Sequence, residues 1–494
     1  MKHDTGTERL GMLIGGKWVQ AASGRMIEVR NPADGSVVAE VPLGGKEDAR
    51  AAIDAAVTAK NKIARMAAYD RYRFLLKTAQ LIEENMEGLA RTICIEAGKP
   101  IRDSRVEVRR AVVTFTSAAE EAKRIFGEVF QTDAYPLPPG NERRLSFSVR
   151  EPVGVVVGIS PFNFPLNLLC HKVAPALAAG NAVIAKPTSE TPIVALRLGH
   201  LLMEAGCPPG AVNIVTGPGP TVGTELVENP GTDLVTFTGS TATGLGIYQL
   251  AAKRNKKVIL EMGGMDPMII LDDADFSRAA DAASRACFGL SGQVCTASKR
   301  LIIIESVSRK FTRLLIDRVK KLKVGDPLRE ETDVGPVINE GSLNRIHALV
   351  LEAVDEGAKV AIGGKRIVDV RHKSGYFYAP TVLNEVTGDM KLMKEEPFGP
   401  LGPVQSVADE REAIEAANST VYGLQSSIFT KDIGRGLRIA REIRAGGVMI
   451  NDPTTLRFDN MPFGGMKMSG LGREGVRYAV QEMTEVKLIN VNLA

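Results

Sequence analysis

The 494-residue sequence has little of what builds specialised architectures. Aromatic side chains make up 5% of it, with a single tryptophan, and histidine and cysteine each occur five times. The cysteines (94, 170, 207, 287 and 295) are odd in number, irregularly spaced and free of any CxxC pair, and the histidines are scattered. That pattern excludes a disulfide framework and a zinc site. No run of about 18 apolar residues occurs, and the opening MKHDTGTERLG has no apolar signal core. The expectation is a cytoplasmic protein with reduced thiols. Long runs of one charge are also missing: 62 Lys and Arg against 58 Asp and Glu leave a net +4, with KRNKK (253–257) the densest basic cluster. Neither nucleic acid nor a membrane surface is an expected partner. There is no internal repeat and no low-complexity segment.

What is present is ordinary globular material, 44% hydrophobic and 24% charged, in a chain too long for one core. MLIGGKWVQ and MIEVRNPADGSVVAEVPLG read as short strands joined by turn residues. From Lys46 to about Gly127 the apolar period is helical, with Leu75, Ala79 and Ile82 on one face, and Gly98-Lys99-Pro100 as a break. NERRLSFSVREP (141–152) alternates as an exposed antiparallel strand would. Then VGVVVGIS, AVIAK, VNIVT, LVTFT, KVIL and MIILD follow one another between helical stretches such as 166–179 and 191–205. Near-continuous apolar strands between helices predict a parallel sheet covered on both faces, a doubly wound nucleotide-binding architecture. A second α/β unit from about 273 to 468 holds RLIIIE, KVAI and GGVMIN.

Chemistry concentrates in FGLSGQVCTASK (288–299). Cys295 lies there among small residues, which leave a sulfur uncovered and let backbone N–H groups approach what binds it. A buried cysteine packing as a small hydrophobe fits the same stretch. Glu261 ends the KVILE strand before Met262-Gly263-Gly264; a carboxylate there is costly unless paired or functional, and burial suits it to act as a base. Asn163 in SPFNFP (160–165) reads either as a helix cap or as a donor. Gly217-Pro-Gly219 and Gly239-Ser-Thr-Ala-Thr-Gly244 each depart from the dinucleotide fingerprint, although FTGS after a buried strand opens a helix whose N–H groups can face a phosphate.

SPFNFP, AKPTSETP (185–192), FTGSTATG (237–244), LEMGG (260–264), GQVCTA and EEPFGP (395–400), in this order, resemble the aldehyde dehydrogenase superfamily from about Met12 to the C-terminus. The closest appearance is to the lactaldehyde and non-phosphorylating glyceraldehyde-3-phosphate dehydrogenase branch. The resemblance implies an α/β, aldehyde dehydrogenase-like fold. A doubly wound cofactor-binding domain (1–130 and 153–262) joins a catalytic domain (263–468), with oligomerisation strands at 131–152 and 482–494. It implies a homodimer or homotetramer in which the hairpin pairs with a partner subunit's sheet near the C-terminal strand, about Val486 to Val491.

It further implies Cys295 as nucleophile, Glu261 as base, Asn163 as oxyanion donor and Lys172 in proton relay. Cofactor contacts fall on Ser160, Pro161, Phe162, Lys186, Ser189, Gly219, Phe237, Gly239, Ser240, Met262, Glu396 and Phe398, and no metal is implied. Many NAD-using members carry a glutamate where this chain has Ser189, with the acid displaced to Glu190. A carboxylate there would repel a 2′-phosphate, so NADP is favoured over NAD. The substrate expected is a small polar aldehyde of the lactaldehyde, glyceraldehyde or succinate-semialdehyde type. Val294 stands where members that bind phosphorylated aldehydes often have arginine; Arg109 and Arg457 are candidates for a substrate anion. A CoA-acylating enzyme and a catalytically inactive relative are the alternatives. Glu261 speaks against the first, and the joint presence of Cys295, Glu261 and Asn163 against the second.

Overall fold

A computed structural model of the chain describes residues 8–368 and 375–493. The first seven residues of the polar N-terminal segment lie outside the described residues; Glu8–Arg9 pairs in parallel with Val37–Pro42. Four helices follow, Lys46–Ala64, Ala68–Glu84, Met86–Ala97 and Ile101–Ala122. The GKP break works as composed: Gly98 takes a left-handed φ of 68° to close one helix, and Pro100 precedes the next.

Val155–Ile159, Ala182–Lys186, Val212–Ile214, Leu234–Thr238 and Lys257–Glu261 run parallel at the centre of an eight-stranded sheet. Every residue of Ala182–Lys186 and Leu234–Thr238 is buried, which is why these strands are apolar without alternation. The chain lays down the first three strands in one direction, then returns to place Leu234–Thr238 on the other flank of Val155–Ile159. This reversal opens a crevice beyond the carboxyl ends of those two strands, where open α/β sheets bind ligands. Ser160 to Asn163 and Gly239-Ser240 are the residues that emerge there.

The sixth strand candidate, MIILD, does not join this sheet. After Glu261 the chain crosses over, and Pro267–Ile270 lies within a seven-stranded sheet between Arg300–Ile304 and Gln425–Phe429. A three-stranded antiparallel sheet stands apart from both. In it Arg144–Pro152 pairs with the chain's own Thr484–Asn492 along the whole length of both strands. The C-terminal strand is therefore a neighbour of this strand within the same chain. Among the described residues no helix is long and apolar enough to cross a membrane, and no group of His, Cys, Asp and Glu is placed to hold a metal ion.

Candidate active site

Cys295 follows a tight passage of backbone. Leu290, Ser291 and Gly292 all have positive φ (50°, 54° and 68°), a conformation costly for the first two. The Ser291 hydroxyl anchors it by donating to the Gly335 carbonyl at 2.7 Å. Gly292 is required by space as well, since a Cβ there would lie 1.9 Å from the Gly399 carbonyl oxygen. Burial pushes the Cys295 thiol up to about 12, an effect that the nearby Lys299 ammonium opposes.

The turn after Val155–Ile159 brings Asn163 to the Cys295 loop. Its Nδ2 donates one hydrogen to the Gln293 carbonyl at 2.8 Å, two residues before Cys295, and its Oδ1 accepts from the Phe164 N–H. The second amide hydrogen remains to donate. The turn is held from behind by Glu107, whose Oε1 accepts from the N–H groups of Leu166 (2.9 Å) and Asn167 (3.0 Å) at the start of Asn167–Ala178. The other oxygen of Glu107 pairs with the fully buried Lys99, whose ammonium sits 3.6 Å from the centre of the Phe164 ring.

Glu261 is buried, and its Oε1 has no hydrogen-bond partner. Burial, then the charge of Glu474, raises its carboxyl well above the ordinary range, against Arg457 and Lys172. Glu474 is the reverse case. Burial alone would raise it, but Lys172 at 2.8 Å and Arg457 at 3.1 Å hold it down at about 2. Lys172 also donates to Thr238 Oγ1 at 2.7 Å, the residue paired with Glu261 across the sheet. A chain of buried polar groups thus runs beside Glu261.

Two cavities meet at Cys295. One, of about 280 Å³, lies at the strand crevice and is lined by Pro161, Phe162, Asn163, Thr238, Gly239, Ser240, Met262, Gly263, Glu396 and Phe398. The Phe162 and Phe398 rings meet edge to face with centroids 5.8 Å apart. Ser240 caps the helix Thr241–Ala252 and leaves its N-terminus facing the crevice. Further along the strand ends, the Ser160 hydroxyl is buried without a partner, and the Lys186 ammonium reaches only the Pro187 carbonyl, 3.2 Å away. Burial draws Lys186 down to about 8. Unused donors, a helix N-terminus and flat rings fit a dinucleotide. The other cavity, of about 220 Å³, is walled by Lys99, Asp103, Glu107, Arg110, Leu168, Arg285, Leu290, Arg457 and Phe463.

The profile of the aldehyde dehydrogenase family matches residues 18–489. The chain belongs to the aldehyde dehydrogenase family. It is 41% identical over 490 residues to the 3-sulfolactaldehyde dehydrogenase of Priestia megaterium, covering 99% of each chain. It is 42% identical over 485 residues to the lactaldehyde dehydrogenase of Methanocaldococcus jannaschii, covering 97% of this chain and all of that one. Betaine aldehyde dehydrogenase of Staphylococcus aureus in complex with NAD+ superimposes with a TM-score of 0.95 at 37% identity, over 98% of this chain and 95% of that one. This aldehyde dehydrogenase is accordingly an oxidoreductase that uses NAD or NADP to oxidise an aldehyde through a cysteine.

In the aldehyde dehydrogenase described here, Cys295, Asn163, Phe162, Gly239, Ser240, Met262, Glu396 and Phe398 converge on the crevice cavity. Phe237 does not line it. Its ring is buried beneath the turn, where a Cβ on Gly239 would approach it to 2.5 Å, so it supports the floor. Gly219 opens the turn Gly219–Gly223, which packs against Lys186. The Ser189 hydroxyl makes one long contact, 3.4 Å to the Gly217 carbonyl, while Glu190 accepts from Asn339 Nδ2 at 3.0 Å. Arg457 enters the charged cavity, and its buried Nε has no partner.

Arg109 is the correction. It is exposed and forms no part of the cavity, because the wall follows Asp103, Val106, Glu107 and Arg110 at helical spacing, and Arg109 points a quarter-turn away. Sequence reasoning missed Arg110, Arg285, Glu474 and Lys299. Glu474 left a faint trace as a carboxylate in a glycine-rich stretch, GLGREG (470–475). The arginines left none, since arginines on helices are mostly solvated.

Proposed function

We propose that this enzyme oxidises a small polar aldehyde to its carboxylic acid with NADP, or NAD, through a covalent adduct on Cys295. The observation that carries the reading is that Cys295 forms the common wall of the two cavities, with Asn163 and Glu261 at its side. The Cys295 sulfur attacks the aldehyde carbon, its proton passing to Glu261 or to water, and the carbonyl electron pair moves onto oxygen. The free amide hydrogen of Asn163 and the Cys295 N–H hold that oxyanion. A nicotinamide held in the crevice by Phe162, Glu396 and Phe398 would supply the two-electron acceptor for the hydride of this adduct, whose oxidation gives the Cys295 thioester. Glu261, kept basic by its surroundings, takes a proton from water, which attacks the thioester; the C–S bond breaks and the acid leaves. Lys172, Glu474 and Thr238 pass the proton onward.

For the cofactor, Ser189 offers a hydroxyl where a carboxylate would repel a 2′-phosphate, and Glu190 is turned away to Asn339; both support NADP. For the substrate, the unpartnered Nε of Arg457 and the unpaired Arg285 at the cavity mouth support an oxygen-rich tail, such as the hydroxyl of lactaldehyde or glyceraldehyde or the carboxylate of succinate semialdehyde. The same lining suits the sulfonate that a 3-sulfolactaldehyde carries. Residues 1–130 and 153–262 would form the cofactor domain, 263–468 the catalytic domain, and 131–152 with 482–494 the oligomerisation strands. A homodimer or homotetramer is supported by Val129, Phe130, Leu145, Val486 and Leu488, exposed on one small sheet whose last strand has an open edge. Five unpaired cysteines support a cytoplasmic setting.

The test follows reduced nicotinamide by absorbance with NAD or NADP and a panel of these aldehydes, with Cys295→Ala as control and CoA added separately. Turnover lost in Cys295→Ala and indifferent to CoA is the expected result. An acyl-CoA product would replace the hydrolytic step, and tight cofactor binding without turnover of any aldehyde would overturn the reading.

A further inference from the structure

Lys299 lies four residues beyond the nucleophile, is 2% exposed, and takes no part in the steps above. Its ammonium donates to the carbonyl oxygen of Cys295 and forms an ion pair of 3.1 Å with Glu396 Oε1. Glu396 in turn accepts from the Gly264 N–H at 3.2 Å and lines the crevice cavity. Lys299 is thus a single buried cation shared between the peptide of the nucleophile and a carboxylate of the other cavity. The charges that act on the Cys295 thiol come from Lys299 in its own loop, Glu261 at the strand end, Asp266 in the crossing segment and Arg457 in the loop over the charged cavity. Lys299 and Arg457 favour a thiolate, whereas Glu261 and Asp266 oppose it. Arg457 is paired with Glu474, and Lys299 is paired with Glu396.

We propose that Lys299 is a positioning residue that couples the cofactor cleft to the nucleophile. While its charge is shared with Glu396 it holds the Cys295 peptide but is partly neutralised; a ligand that draws Glu396 into hydrogen bonds leaves more of that charge to the sulfur. The inference rests on the proposed assignment of Glu396 to the cofactor and goes beyond it, because it assigns a link that needs no aldehyde. Its two ends also predict opposite signs. Removing the cation should disfavour the thiolate, and removing the carboxylate should favour it.

The experiment is the pH profile of Cys295 alkylation by iodoacetamide, in which the thiolate displaces iodide, a C–S bond replaces the C–I bond and the thiol proton goes to solvent. It is run on the cofactor-free protein and again with NADP, with binding of NADP measured by calorimetry. Cys295→Ala identifies the signal. In the cofactor-free protein, Lys299→Met should slow alkylation at pH 8 by roughly tenfold, equivalent to about one pH unit in the inflection, and Lys299→Arg should restore most of it. Glu396→Gln should move the inflection to lower pH. In the unsubstituted protein NADP should do the same, and Lys299→Met should bind NADP yet lose that response. Shifts of Lys299→Met and Glu396→Gln in the same direction would mark a merely structural bridge and overturn the proposal. So would an NADP response that survives in Lys299→Met. If neither NADP nor NAD binds the unsubstituted protein, the cofactor assignment itself fails and the coupling fails with it.

Discussion

The crevice cavity is walled largely by backbone and small residues, Gly239, Ser240 and Gly263, with two aromatic rings. The cavity on the other side of Cys295 is walled by Lys99, Asp103, Glu107, Arg110, Arg285 and Arg457. The first is made mostly by short runs at the ends of adjacent strands, closed by Arg345, Glu396 and Phe398 from later in the chain. The second is made by one face of the helix Ile101–Ala122 with side chains from distant segments, most of the charged ones paired: Lys99 with Glu107, Arg110 with Asp459, Arg457 with Glu474. The difference teaches how each resists change. A backbone cradle is damaged by adding an atom, whereas a paired-charge wall is damaged by removing one, because the remaining partner is left buried and uncompensated.

Mutations on each side and at the shared wall can break or sharpen this contrast. The largest effect belongs to the wall itself: Cys295→Ala should lower kcat by more than about 10,000-fold, the scale of a lost covalent nucleophile. Retention of NADP binding in that variant, measured by calorimetry, would show that the crevice stands without the sulfur. On the charged side, Glu107→Gln should lower stability by about 3–5 kcal/mol, since Lys99 loses its counter-charge while the N–H contacts to Leu166 and Asn167 can persist. Chemical denaturation measures it, and a change within experimental error would mean that the pair is not what holds the Asn163 turn.

Asn163→Ala should cost about 100- to 1,000-fold in kcat with KM for NADP little changed, as loss of one oxyanion donor does. On the crevice side, Gly263→Ala should raise KM for NADP by roughly tenfold, about 1.4 kcal/mol, because its Cβ would lie 2.3 Å from Glu396 Oε2. Its thermal stability should hardly move, and an unchanged KM would count against Glu396 as a cofactor contact. The smallest effect is one of pH. Burial raises Glu261, so the protonated acid persists above the ordinary carboxylate range. Single-turnover hydrolysis of the thioester should therefore fall with decreasing pH at values where a solvated glutamate would still be ionised. A profile flat through that region would remove Glu261 from the water-activating step.

The crevice was the readable half. SPFNFP, FTGSTATG and LEMGG are contiguous, each following an apolar strand, and the strands were legible because both faces are covered. The charged cavity was not readable in this way. Arg109 and Arg110 are adjacent, and only the phase of Ile101–Ala122 against Asn167–Ala178 decides which one faces inward. Glu474 is about 200 residues from Glu261 in sequence (213 by subtraction), and only the return of the chain through Gly470–Leu471 beside Lys257–Glu261 brings it to the base. Lys299 lies within the Cys295 stretch itself, but its partner Glu396 arrives from a different strand connection.

By itself, then, the sequence determined the parallel sheet, the helix break at Gly98-Lys99-Pro100 and the local turns that form the crevice, because each depends on neighbours a few residues away. Tertiary structure decided which sheet takes Pro267–Ile270, that Arg144–Pro152 pairs with the chain's own last strand, and which charges are paired around Cys295. The physical reason is range. Backbone conformation and burial are set by short stretches, while the energy of a buried charge depends on the counter-charge that folding brings to it from elsewhere in the chain.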